Sequence, residues 1–168
     1  MTNNANTVEP TVESSVRSRY AGAAATVEPA LCCPDAGYDK AALANVPREI
    51  VDVDYGCGDP TRWVQPGDTV LDLGSGSGKN CYLAAQTAGE AGRAIGVDFN
   101  APMLALARKH QAEFAKRVGF DNMTFKKGRI QDLALDLEAL EAWLVQNPVS
   151  SADDYLASTS PIFAPITR

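Results

Sequence analysis

Residues 69–80 read TVLDLGSGSGKN, an apolar run that carries acidic Asp72 at its end and then passes through Gly74, Gly76 and Gly78 at alternate positions. A strand that enters a glycine-rich turn before a helix is how an open α/β sheet builds a ligand site at the carboxyl edge of its strands. The spacing narrows the ligand. A dinucleotide pattern, G-x-G-x-x-G, needs glycine where Lys79 stands, so G-x-G-x-G points to a ligand without a pyrophosphate.

Glycine at 74 and 76 lets the backbone turn tightly and lets a ligand lie against amides that no Cβ shields. The helix N-terminus just beyond favours a carboxylate. An amino-acid carboxylate next to a nucleoside describes S-adenosylmethionine. About twenty residues on, RAIGVDFN (93–100) reads as a second strand ending in Asp98, from which a carboxylate accepts hydrogen bonds from both ribose hydroxyls. The plainer alternative is that the glycines merely turn the chain and Asp98 starts the next helix. The spacing between loop and acid weighs against it.

Composition bounds the rest. A chain of 168 residues with 45% apolar composition suits one domain or a little more. A net charge of −6 argues against nucleic acid, which calls for a basic face. Arg108-Lys109 and Lys126-Lys127 read as short solvated faces. The start, MTNNANTVEP, lacks a basic stretch followed by an apolar one, and no apolar run approaches membrane-spanning length. The expected location is therefore the cytoplasm. Cys32, Cys33, Cys57 and Cys81 fit no zinc spacing and are expected as free thiols in a reducing compartment.

Residues 1–50 read as an N-terminal helical cap with a disordered start, in which Val12, Val16 and Tyr20 recur at helical spacing. Residues 40–50 form a weak helix interrupted at Pro47. Pro66-Gly67-Asp68 turns into the first strand. A helix is expected from Asn80 to Ala88, ended by Gly89. Asn100 caps the next, whose face is Met103, Leu106, Ala107, His110 and Phe114. Asn122 to Lys127 is a third strand. Leu133, Leu137, Leu140 and Leu144 mark a last helical stripe closed by Asn147-Pro148.

With these pieces in order the chain resembles the class I S-adenosylmethionine-dependent methyltransferases, through LDLGSGSG and GVD. Within that superfamily it resembles the arsenite methyltransferases, through VRSRYAGAA, CCP, DYGCGDP, LDLGSGSGKNCYLAAQ, MLALARKHQ and GRIQDLALDLEALEAWL, over roughly residues 12–156. The resemblance implies an α/β, Rossmann-like fold, incomplete here, with about three parallel strands and flanking helices. It implies a partial cofactor-binding domain over 51–156 and an irregular tail over 157–168. The match fades near Tyr155, before a fourth strand, and the first strand is then expected to show an unpaired apolar edge.

The resemblance also implies roles. Tyr55 and Gly56 lie near the methionine end of the cofactor, Asp72, Gly74 and Gly76 form its floor, Asp98 holds the ribose, Ile130 and Gln131 border the adenine, and Met103 packs against the purine. Tyr55, Met103 and Ile130 could equally be core residues. His110 is given no role. The acceptor implied is arsenite or its thiol conjugates, with a thiol reductant as co-reactant. Cys57 is then a ligand to arsenic(III), and Cys32 or Cys33 takes part in a disulfide relay. The two further arsenic-binding cysteines expected of the family have no counterpart after Cys81. A methyltransferase of another small molecule, or a non-catalytic remnant that binds the cofactor, remains open.

Overall fold

The structure is a computed structural model and describes residues 11–26, 37–53, 55–56 and 58–157, the last three by their backbone alone. Cys32, Cys33, Cys57, the first residues and the tail beyond Ala157 therefore lie outside the described residues. Among the described residues a three-stranded parallel sheet, in the order β1-β2-β3, forms the centre. Its strands are β1 (Thr69–Leu73), β2 (Arg93–Asp98) and β3 (Met123–Lys127).

Before the sheet come α1 (Val12–Ala25), α2 (Lys40–Asn45) and α3 (Arg48–Asp52). The side chains of Thr11 and Asp39 cap the first two, and Pro47 separates the second from the third, because its ring cannot continue a helix across that point. Between strands stand α4 (Lys79–Ala88), α5 (Ala101–Lys109) and α6 (Gln111–Val118), followed by α7 (Leu137–Gln146) and α8 (Ala152–Ala157). Asn100 Oδ1 accepts from the Met103 N–H at 3.4 Å, and Pro102 sits in that first turn, as its missing donor allows.

The register puts Val70, Asp72, Ala94, Gly96, Met123 and Phe125 on one face, since directly paired residues of parallel strands share a side. That face carries the main core, built around Ile50, Tyr82, Leu83, Leu104, Phe114 and Phe125. Tyr82 meets Phe114 edge to face at 4.7 Å and donates its hydroxyl to the Ala107 carbonyl at 2.7 Å, so a buried polar group is satisfied. On the opposite face Ile95 and Val97 are buried with Leu133 against them, whereas Leu71 and Leu73 on β1 are 39% and 48% exposed. Among the described residues β1 pairs with β2 alone, which leaves the expected unpaired edge.

Three sequence expectations change. The single helix expected through His110 is two helices that meet at His110, whose φ of −102° and ψ of −2° close α5 and open α6 and whose Nε2 meets Glu49 Oε2 at 2.7 Å. The apolar stripe survives across both, but His110 is not part of it. Leu133 precedes α7, because the Asp136 carboxylate accepts from the N–H groups of Glu138 and Ala139 and starts the helix at Leu137. Finally, the two basic pairs are not simply solvated. Lys127 is buried and paired with Glu141, Lys109 pairs with Glu49, and Arg108 bridges Glu138 and the Phe125 carbonyl.

Candidate functional site

A cavity of about 270 Å³ opens at the carboxyl edge of the sheet, where the loop after β1 faces the end of β2. Asp72, Gly74, Gly76 and Asp98 line it together with Tyr55, Gly56 and Met103. A second cavity of about 110 Å³, lined by Ile130 and Gln131, shares Gly74, Asp98 and Phe99 with the first. All the sequence-predicted site residues within the described residues therefore converge on two adjoining cavities. Two joined chambers suit a ligand of two unlike halves.

The three glycines do different things. All have positive φ, the left-handed region that L side chains rarely adopt. A Cβ on Gly74 or Gly76 would meet nothing within 4 Å, so these two leave open space beside the cavity. A Cβ on Gly78 would stand 2.8 Å from the Phe125 ring. Gly78 is thus the contact that seats α4 on the sheet, whereas Gly74 and Gly76 line the larger cavity.

Asp98 organises the loop. Its Oδ2 accepts from the Gly76 N–H at 2.8 Å and its Oδ1 from the Asn100 N–H at 2.7 Å, while the residue itself is buried. A carboxylate has about four lone-pair sites, so each oxygen keeps capacity for a hydroxyl. At the neighbouring strand end Asp72 Oδ2 accepts from the Cys81 thiol at 3.4 Å. Burial first, and the Asp72 charge second, push the Cys81 pKa well up, so it stands as a neutral thiol beneath a carboxylate.

The N-terminal helix roofs the site. Val16 and Tyr20 of α1 line the larger cavity, Tyr55 donates its hydroxyl to the Ala23 carbonyl at 3.1 Å, and Asn100 Nδ2 donates to the Arg17 carbonyl at 3.1 Å. Glu13 and Arg129, paired at 2.7 Å, border the smaller cavity. Sequence reasoning missed Val16, Tyr20, Phe99 and Asn100 as wall residues. For Phe99 the available signal is an aromatic residue directly after an acidic strand end. For α1 there is none, since its docking depends on long-range contacts.

The polar atoms test the fit to S-adenosylmethionine. Among the described residues, Ser75 Oγ, Asn80 Oδ1 and Asn122 Oδ1 are buried without a hydrogen-bond partner, and the first two residues line the larger cavity. Buried polar atoms are normally satisfied, so a polar ligand group is the fitting complement. Gly78, which precedes α4, offers no capping side chain, leaving the helix N-terminus suited to a carboxylate. Two carboxylates, an uncapped helix start and an apolar second chamber match an ammonium, a diol, a carboxylate and a flat ring. No helix of the described residues is long and apolar enough to cross a membrane.

The chain is similar to several known proteins. A family model described as "Methyltransferase domain" matches residues 64–154. An arsenite methyltransferase of Aquipseudomonas alcaligenes is 45% identical over 95 residues, covering 56% of this chain and 28% of that protein. One from Halobacterium salinarum is 35% identical over 148 residues, covering 74% and 37%. The crystal structure of CrArsM, an arsenic(III) S-adenosylmethionine methyltransferase from Chlamydomonas reinhardtii, superposes with a TM-score of 0.52 at 42% identity, covering 55% of this chain and 32% of that one. The chain spans roughly a third of the length of the relatives it matches.

Proposed function

The chain belongs to the methyltransferase domain family, and from that premise we propose that it binds S-adenosylmethionine and serves methyl transfer to trivalent arsenic. The observation that carries the cofactor reading is the convergence of the Gly74–Gly76 turn and Asp98 on one cavity, with Gly76 and Asp98 joined directly. The arsenic reading is supported by identities of 35–45% to arsenite methyltransferases and by the DYGCGDP segment. In this reading residues 1–50 are a cap, 51–156 the cofactor-binding part, and the setting is cytoplasmic with a thiol reductant at hand.

When bound, S-adenosylmethionine supplies a sulfonium methyl that a lone-pair nucleophile can accept without giving up a proton. The chain's own residues then have two tasks, to orient and to exclude water. Asp98 holds the ribose hydroxyls on its remaining lone pairs. Gly74 and Gly76 present backbone unshielded by side chains, and Asp72 faces the ammonium. Ile130, Gln131 and Met103 border the purine, and Tyr20 of α1 closes the roof together with Tyr55. No general base is called for, which agrees with His110 lying outside both cavities and bonded to Glu49.

Cys57 is assigned to arsenic as substrate, since thiolates bind soft trivalent centres well. Cys32 and Cys33 are assigned to a thiol relay. The test is radiolabelled methyl transfer to arsenite, under thiol reductant, by a chimera that adds the remaining part of the Aquipseudomonas relative. Cys57→Ser is expected to remove transfer while leaving S-adenosylmethionine affinity nearly unchanged. Full transfer by Cys57→Ser would overturn the arsenic assignment and leave the cofactor assignment intact.

A further inference from the structure

Asn100 stands where three parts of the site meet. It is 2% exposed and lines the larger cavity. Its backbone N–H donates to Asp98 Oδ1 at 2.7 Å, its Oδ1 accepts from the Met103 N–H at 3.4 Å, and its Nδ2 donates to the Arg17 carbonyl of α1 at 3.1 Å. The two ends of the amide cannot be exchanged, because one faces a donor and the other an acceptor. One residue thus joins the carboxylate at the end of β2, the start of α5 and the helix over the cavity. That helix has little else to hold it. Of the 14 residues of α1 only Ala23 is buried, and its further ties are the part-buried bond from the Tyr55 hydroxyl to the Ala23 carbonyl and the exposed Glu13–Arg129 pair. A helix with so few buried apolar contacts lies at the low end of local stability, so its docked and undocked forms are close in free energy. Yet its Val16 and Tyr20 line the same cavity as Asp98 and Asn100.

We propose that Asn100 is a positioning residue that couples the roof to the cofactor: with its backbone on Asp98 and its amide on α1, it makes cofactor binding and docking of α1 one linked equilibrium. This rests on the cofactor reading above. A ligand held by Asp98 gives Val16 and Tyr20 a surface to pack on, while Asp98 holds the Asn100 backbone and the Asn100 amide holds the helix. By linkage, the factor that docked α1 adds to ligand affinity is the factor that the ligand adds to docking. Serine at this position keeps the cap of α5 but gives up the Nδ2 donor to the Arg17 carbonyl.

Hydrogen exchange on the 168-residue chain, with and without S-adenosylhomocysteine, reads the roof, and calorimetry reads the affinity. In the wild type the ligand is expected to slow exchange of the α1 amides about fivefold or more, the low end of coupling between sites. In Asn100→Ser without ligand those amides are expected to exchange about fivefold faster, the size of one net hydrogen bond, while α6 exchanges as in the wild type. The affinity of Asn100→Ser is expected to fall about twofold or more, because less of the chain has its roof docked. Weaker binding with α1 exchange unchanged would make Asn100 a partner of Asp98 alone and overturn the proposal. Unchanged affinity with a loosened α1 would overturn it too, as would α1 exchange in the wild type that ignores the bound ligand. Should Asn100→Ser not fold, Asn100→Asp decides, since it keeps the shape and the cap but turns an acceptor toward the Arg17 carbonyl: faster exchange of α1 supports the coupling, and exchange as in the wild type contradicts it. Failure of the wild-type chain to bind S-adenosylhomocysteine would instead count against the cofactor reading itself.

Discussion

Gly76 donates its backbone N–H to Asp98 Oδ2 at 2.8 Å, so the turn after β1 is clamped to the end of β2 across 22 residues of sequence. The clamp makes the site a property of two adjacent strands rather than of one loop. It also gives Asp98 two tasks, holding the glycine turn with one set of lone pairs and offering the other to the cavity.

The glycines of the turn are expected to separate by measurement. Gly78→Ala forces a methyl against Phe125 at a left-handed position, and overpacking of that kind costs about 1–3 kcal/mol beyond the backbone strain. Gly76→Ala carries only the strain, about 1–2 kcal/mol, because its Cβ enters open space. Urea unfolding should therefore place Gly78→Ala below Gly76→Ala, while cofactor titration should show Gly76→Ala the more impaired binder. The reverse order in stability would mean that the two glycines have been given each other's roles.

The outer side of β1 should drive association. Leu71 and Leu73 are exposed on a strand that, among the described residues, has a partner on one side only, and unpaired strands with apolar residues are templates for pairing. Sedimentation velocity is expected to show the 168-residue chain growing in mass with concentration, and Leu73→Lys to shift it toward monomer. A concentration-independent monomer in the wild type would show that this edge is covered.

Acid should loosen α7. Both Glu138 oxygens accept from the Arg108 guanidinium, at 2.7 and 2.9 Å, and this pair lowers the Glu138 pKa, helped by the Lys127 N–H and the Lys126 charge and opposed by burial. A carboxyl whose folded pKa lies below its unfolded one contributes stability that is complete above the ordinary glutamate value and is lost as pH falls through the folded value. Glu138→Gln should thus be less stable than wild type at neutral pH, and the gap should close below the usual carboxylate range. A gap that widens in acid would contradict the assignment. The pair is partly exposed, so the effect is expected to be small and salt-sensitive.

Much of this was legible in the chain because it was local. The glycine turn, Asp98, the Asn100 cap and the Gly89 stop each depend on a few neighbouring residues, and each lies where sequence reasoning put it. What escaped is long-range. The junction at His110 is in contact with Glu49, 61 residues away, and buried Lys127 pairs with Glu141 from a helix that starts at the Asp136 cap. The roof formed by α1 depends on Asn100 reaching the Arg17 carbonyl, 83 residues away, which no local pattern encodes.

The central claim is that the paired Gly76 turn and Asp98 hold S-adenosylmethionine, and titration calorimetry on the wild-type chain and Asp98→Asn tests it most directly. Asn keeps the shape of Asp but removes the charge and one acceptor, so hydrogen bonds worth roughly 1.5–3 kcal/mol to a charged group are weakened. The account predicts saturable binding to the wild type and a loss of about tenfold or more in Asp98→Asn, with both chains folded by circular dichroism. Equal affinity in the two chains, or none in the wild type, would contradict it.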